Sequence, residues 1–399
     1  MMAGFRTLDQ ADVKGKRVLL RVDVNVPMED GKVTDTTRIE RAAETITELA
    51  DKGAKVILLA HFGRPKKGPE AKFSLKPVAA AIAEVIKRPV GFASDCVGPE
   101  AEKAVAAMKD GDIICLENTR FHPEETKNDP AFVDQLAKLG DIWVNDAFSA
   151  AHRAHATTEG LGHKMPGYAG RTMQAELDAL TRALEAPQRP VAAVVGGAKV
   201  SGKLDLLGNL LDKVDVLIIG GGMANTFLAA LGHPVGKSLC ENDLIPTAKQ
   251  IMEKAKKTDR EIVLPTDVVV AQKFEANAPS RTVDLDSVGP EDMILDIGPR
   301  SIEYVVSLLA RVKTVVWNGP FGAFEMQPFD KGTMQVAAAA ADRSATGRLV
   351  TVAGGGDTVS ALNQAGAAEK FSYISTAGGA FLEWLEGKAL PGVEILRVK

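Results

Sequence analysis

Along most of its length the chain repeats one pattern, a short continuous apolar run that ends in glycine or a polar residue and leads into a helical pattern. RVLLRVDVN from Arg17, AKVILLAHFGR from Ala54, DIICLENTR from Asp112 and DIWVNDAFSAAHRAH from Asp141 carry it early. PVAAVVGGAK from Pro190, VDVLIIGGG from Val214, TVVWNGP from Thr314 and RLVTVAGGG from Arg348 carry it late. A strand with one wet face alternates apolar and polar residues; these runs do not, so they read as strands of parallel sheets covered on both faces. Between the first two runs, Ile39, Ala42, Ala43, Ile46, Leu49 and Ala50 fall at the spacing of a crossover helix. The fold class is therefore α/β, built on doubly wound parallel sheets.

A length of 399 residues exceeds what one core usually serves. Residues 173–190, MQAELDALTRALEAPQRP, form one helical pattern with no strand inside and end at Pro187 and Pro190. They read as a helical linker between a domain at 1–172 and a second at 191–389, with a cleft between the two. Lys and Arg total 48 against 52 Asp and Glu, so no global footprint for nucleic acid exists and any anion site must be local. No apolar run approaches a membrane span, and the first residues lack the apolar core of a secretory signal. A cytoplasmic protein is expected. Cys96, Cys115 and Cys240 are too few and too scattered for a disulfide framework or a zinc site.

Polar residues gather where the apolar runs stop: Asp23, Asn25, His61, Arg64, Glu117, Arg120, Asp146, Asn318 and Asp357. In open α/β sheets that edge receives the ligand. In the first half, Arg21, Arg38, His61, Arg64, Arg120, His152 and Arg153 stand at strand ends or helix starts, from which they can converge. Such a cluster suits a small phosphate or carboxylate, since guanidinium groups grip those oxygens in pairs and stay charged. Asp23 and Asn25 could accept hydrogen bonds from hydroxyls of the same ligand, or serve only as turn residues before Pro27.

The second half offers glycine loops instead. Gly196 to Lys203 follows a buried run and opens a helix, so its amides favour an anion. From Gly197 it satisfies GxxxxGK, but Leu204 stands where a P-loop needs Ser or Thr for magnesium, and that identity is rejected. Gly220-Gly221-Gly222 and Gly354-Gly355-Gly356-Asp357-Thr358 repeat the arrangement. Asp357 there could serve Mg²⁺ directly or through water. No GxGxxG follows any of these strands, which disfavours a nicotinamide-dependent dehydrogenase.

RVDVNVP, HFGRP, ENTRFHPEE, AHRAH, GGAKV, GGGMANTF, WNGPFGAFE and GGGDT occur in this order from Arg21 to Thr358. In this the chain resembles the phosphoglycerate kinase family from end to end. The resemblance implies two Rossmann-like domains and reversible phosphoryl transfer from 1,3-bisphosphoglycerate to ADP, giving 3-phosphoglycerate and ATP, in glycolysis, gluconeogenesis or carbon fixation. It implies a monomer that takes small molecules, not nucleic acid or membrane, as partners, and Mg²⁺ with ADP or ATP as cofactor. Arg21, Asp23, Asn25, His61, Arg64, Arg120, His152 and Arg153 would bind phosphoglycerate. Lys203, Asn318, Glu325, Gly354, Gly355, Gly356, Asp357 and Thr358 would bind nucleotide, with Asp357 on the metal, and Arg38 and Lys199 would flank the phosphoryl group in transfer. Residues 390–399 would pack back on the first domain.

Three stretches depart from the family pattern: Ala377 in STAGGA, Ser149-Ala150 before AHRAH, and Gly202 after GGAKVS. At Ala377 the expectation is either a negative φ or an altered turn, because alanine tolerates positive φ poorly. A non-catalytic nucleotide-binding protein is the remaining rival, and the presence of both Arg38 and Lys199 speaks against it.

Overall fold

A computed structural model describes residues 4–66 and 68–398. Two compact units divide it, one running to Leu177 and resuming at Ala389, the other Asp178–Lys388.

The first unit is built on a six-stranded sheet, all parallel, ordered Gly91–Ala93, Ile113–Leu116, Lys55–Leu59, Arg17–Arg21, Ile142–Asn145 and Gly167–Ala169. The chain begins in the interior at Arg17–Arg21, winds to one edge, then returns to the other side through Ile142–Asn145. Loops following the Arg17–Arg21 strand and its two neighbours thus open at one sheet edge. Helix Thr37–Asp51 buries Ile39, Ala42, Thr45, Ile46, Leu49 and Ala50, the stripe that its spacing demands. Helix Pro130–Ala137 begins where it does because Asp129 accepts hydrogen bonds from the amides of Ala131 and Phe132, and because Pro130 has no amide hydrogen to strand. Glu117, at a strand end, spends its carboxylate on Ser74 Oγ (2.6 Å) and the amides of Leu75 (2.8 Å) and Asn118 (2.7 Å), so it is structural.

The second unit repeats the plan with a parallel sheet ordered Glu261–Val263, Val216–Ile219, Val191–Val195, Thr314–Asn318, Val350–Gly354 and Tyr373–Ser375. Between its third strand in chain order and Thr314–Asn318 lies an antiparallel sheet that the sequence reading does not contain, with Asp267–Ala271 between Ser280–Asp284 and Met293–Ile297. Among the described residues no helix is long and apolar enough to cross a membrane.

Helix Arg171–Leu180 continues through a π-helical turn at Thr181–Glu185. Its first turn belongs firmly to the first unit. Arg171 binds Glu48 and Asp9, each at 2.7 Å, and its guanidinium holds the Glu48 carboxyl down to about 2. Thr45 Oγ1 accepts from the Arg171 amide at 2.9 Å, and the buried Asp146, pushed up to about 7 by desolvation, accepts from the Met173 amide at 3.0 Å. The division between units falls after Leu177, inside this helix and within residues 173–190. At the other end of the chain, Leu390, Val393 and Leu396 are buried. There the Gly392 amide donates to Ala151 O (2.9 Å), and the Arg6 amide to Leu396 O (3.0 Å), which ties this segment to the first unit. Lys399, the last residue of the segment expected to pack there, lies outside the described residues.

Candidate functional site

In the first unit Asp23 and Asn25 leave the end of the Arg17–Arg21 strand and organise the sheet edge. Both Asp23 carboxylate oxygens accept from Arg38 Nη1, at 3.0 and 2.8 Å. Arg38 sits in the first turn of helix Thr37–Asp51, where the helix dipole disfavours a cation, and Asp23 offsets that cost. Asn25 Oδ1 accepts from the Gly63 amide (2.9 Å), and the carbonyl of Gly63 accepts from Arg120 Nη1 (3.0 Å), so three loops are stitched into one rim. Arg64, Arg120, Arg153 and His155 line a cavity of 570 Å³ beside it. Burial and the neighbouring Arg21, Arg153 and Arg64 bring even the Arg120 guanidinium down to about 10, which is the mark of a site short of anions.

Arg21 does not share this exposure. Its side chain is 0 % exposed; Nε donates to Thr157 Oγ1 (2.9 Å), Nη2 to His61 Nδ1 (2.9 Å), and Nη1 to the carbonyl of Val22. Arg21 is a buried support, and His61 is what it holds. Burial, then Arg21, Arg120, His155 and Arg38, drive the His61 pKa well below its ordinary value. His155, which the sequence reading passed over, is likewise brought down to about 4, by burial and then by Arg120 and Arg21. The two imidazoles are neutral at pH 7. His152 lies in the same loop, close enough to Arg153 and His155 to contribute to that shift.

In the second unit the glycine loops meet at the matching edge of the other sheet. A Cβ on Gly196 would fall 1.9 Å from Pro320 O, so only glycine lets these loops cross. Gly355 has φ +99° and caps helix Gly356–Gln364, which places Asp357 in the first turn. Lys203 donates to the side-chain oxygen of Asn318; Asn318 Nδ2 donates to Gly354 O (2.7 Å), and Thr358 Oγ1 accepts from the Gly319 amide (2.8 Å). Asn318 and Thr358 are buried. Both side chains brace the loops that carry the glycine amides. Burial lowers the Lys203 ammonium to about 8 against the pull of Asp357 and Glu386. A largely apolar cavity of 420 Å³ brings Glu325 and Asp357 together with Gly197, Gly221, Leu295 and Phe324, but is not lined by Lys199, Lys203, Asn318 or Gly354–Gly356. Lys199 is exposed, with its charge near Glu241, which accepts from Ser201 N (3.0 Å) and Ser201 Oγ (2.5 Å).

The phosphoglycerate kinase family model matches residues 8–388. The chain belongs to the phosphoglycerate kinase family. It is 70% identical to the phosphoglycerate kinase of Rhodopseudomonas palustris over 399 residues, 100% of both chains. It is 67% identical to that of Bradyrhizobium diazoefficiens over 395 residues, 99% of each. Among solved structures, phosphoglycerate kinase from Coxiella burnetii superposes with a TM-score of 0.93 at 42% identity, covering 98% of this chain and 99% of that one. The enzyme from Pyrococcus horikoshii gives 0.79 at 31% identity, covering 98% of each chain. The chain is thus an enzyme, a kinase with two doubly wound α/β units.

Against the phosphoglycerate kinase pattern the three departures have simple outcomes. At the STAGGA turn the positive φ belongs to Gly378 (+48°), and Ala377 is not among the described residues with positive φ, so alanine there is unstrained. Gly202 has nothing within 4 Å of an added Cβ. Ser149 is not silent, since its hydroxyl donates to Asp23 Oδ2 at 2.5 Å. As to metal, Asp95, Cys96 and His122 are the only set of three or more described His, Cys and carboxylate groups close enough to share an ion, and Asp357 is not among them. A single exposed carboxylate beside glycine amides fits Mg²⁺, which takes few protein ligands and completes its shell with phosphate oxygens and water.

Proposed function

We propose that this kinase moves the acyl phosphate of 1,3-bisphosphoglycerate directly to ADP, reversibly, giving 3-phosphoglycerate and ATP. The observation that carries the reading is that one chain holds two unlike sites. One is a guanidinium-rich rim with neutral histidines on the first sheet; the other, on the second, is an apolar cavity lined by Gly197, Gly221, Glu325 and Asp357. The first suits a small, multiply charged acid, with Asp23 and Asn25 at its hydroxyl and Arg64, Arg120 and Arg153 at its phosphate. The second suits a nucleotide, with Glu325 at the ribose and the Gly354–Gly356 amides at the phosphates.

No protein nucleophile is needed, because an acyl phosphate donates to the ADP oxygen in line, and the protein's work is positioning and charge neutralisation. Arg38 and Lys199 supply positive charge to the phosphoryl oxygens in transfer. His61 is no base at Nδ1, where Arg21 already donates. Asp357 would hold Mg²⁺, whose charge offsets that of the nucleotide phosphates. Because the two ligands bind to separate units, transfer requires a closing motion that excludes water. We place the enzyme in the cytoplasm as a monomer; its three free cysteines suit a reducing compartment. Formation of ATP from ADP and 1,3-bisphosphoglycerate in a coupled assay tests the reading. Tight binding of both ligands without turnover would reduce the protein to a binder.

A further inference from the structure

Beneath the basic rim lies a chain of hydrogen bonds whose direction is fixed by chemistry. Arg21, Thr157 and Glu125 are fully buried. Arginine can only donate, so Thr157 Oγ1 must accept from Arg21 Nε at 2.9 Å. The hydroxyl hydrogen is then left for Glu125 Oε1, which accepts it at 2.5 Å. For the same reason His61 Nδ1 must accept from Arg21 Nη2 at 2.9 Å, and an imidazole with a bare Nδ1 carries its hydrogen on Nε2.

We infer that Glu125 and Thr157 are positioning residues, which orient Arg21 so that it locks His61 as the neutral Nε2–H tautomer and makes it a hydrogen-bond donor to an anionic ligand. The loop carrying Thr157 is itself fixed, because the Ala156 amide donates to Glu125 O (2.9 Å) and Trp143 Nε1 to Thr157 O (3.1 Å). Burial pushes the Glu125 carboxyl up and the Arg21 guanidinium down, and each group opposes the shift of the other. Without the Thr157 hydroxyl, Arg21 Nε has no acceptor, and the guanidinium loses one of the bonds that aim it at His61. The freed ring then samples both tautomers, and in the Nδ1–H form it presents a lone pair at Nε2, which repels a carboxylate or phosphate oxygen. Arg38, Arg64, Arg120 and Arg153 give the rim its charge; His61 gives it direction.

The tautomer does not depend on the kinase reading, whereas its effect on substrate does. Histidine labelled with ¹⁵N and long-range proton–nitrogen spectra report the tautomer, with His61 assigned by the signal lost in His61→Gln. Wild type should show Nε2–H alone near neutral pH. Thr157→Val, which keeps the volume and removes the hydroxyl, should show both tautomers. It should also raise KM for 3-phosphoglycerate about five- to tenfold, the worth of one hydrogen bond to an ion, with kcat changed less than about twofold. Thr157→Ser should restore both readouts. A wild-type His61 protonated on Nδ1 would overturn the inference without recourse to any variant, so it stays testable should Thr157→Val not fold. An undiluted Nε2–H tautomer with unchanged KM in Thr157→Val would also overturn it. A tautomer that shifts as expected in a protein unable to turn over 3-phosphoglycerate would refute the kinase reading and uphold the hydrogen-bond chain.

Discussion

Replacing Arg38 by alanine should separate catalysis from stability by a wide margin. The side chain forms one ion pair with Asp23 at 2.8 Å, with 41% and 15% of the two side chains exposed. A pair so open to solvent contributes about 0.5–1 kcal/mol. Its loss does not orphan the carboxylate, since Ser149 Oγ (2.5 Å) and the Asn25 amide (3.1 Å) still donate to Asp23. Removing a cation from the first turn of a helix returns about 0.3 kcal/mol, so the net cost stays below about 1 kcal/mol. For units of this size that lowers Tm by no more than about 4 °C. An arginine that meets the transferred phosphoryl group contributes on the order of 10³ to 10⁵ in turnover, about 4–7 kcal/mol of barrier. Coupled ATP formation and thermal unfolding of the same preparation give both numbers. Retention of more than about a tenth of wild-type kcat would remove Arg38 from the chemistry, and a fall in Tm beyond about 10 °C would mean that it serves the fold.

Asp357→Asn should weaken Mg-nucleotide binding about tenfold, the loss of one charge-assisted contact, and leave 3-phosphoglycerate binding unchanged; calorimetric titration with each ligand decides it, and equal losses would sink the division of labour. Lys203 is brought down to about 8 by burial, so its charge is present below that pH and lost above it. Nucleotide affinity should therefore fall as pH rises, by about tenfold at about pH 9, and Lys203→Met should abolish the slope. A slope that survives in Lys203→Met assigns the titration to another group. Small-angle scattering should show the smallest radius of gyration with both ligands bound and intermediate values with one, whereas identical values in all states of an active enzyme would exclude closure.

Much of the molecule is legible locally. A short continuous apolar run rich in Val, Ile and Leu reads as a strand covered on both faces, and a glycine run after it marks a tight strand-to-helix turn, so the buried parallel strands and their ligand edges follow from the residues themselves. The antiparallel strands Asp267–Ala271 and Met293–Ile297 escape because DVVVA and MILDI are as continuous as the parallel runs. Pairing direction is set by partners far along the chain, not by composition. The same limit governs the site: Arg38 and Arg21 look alike in sequence, both arginines near Asp23. Only the fold buries Arg21 against Thr157, 136 residues away, and leaves Arg38 partly exposed on Asp23. That Arg, Asp, Asn and His gather at a sheet edge is a property of the sequence. Which of them face the ligand, which brace Asn318 or His61 from behind, and which imidazole nitrogen carries the hydrogen are decided by tertiary structure, because desolvation and hydrogen-bond direction exist only once distant segments close around a side chain.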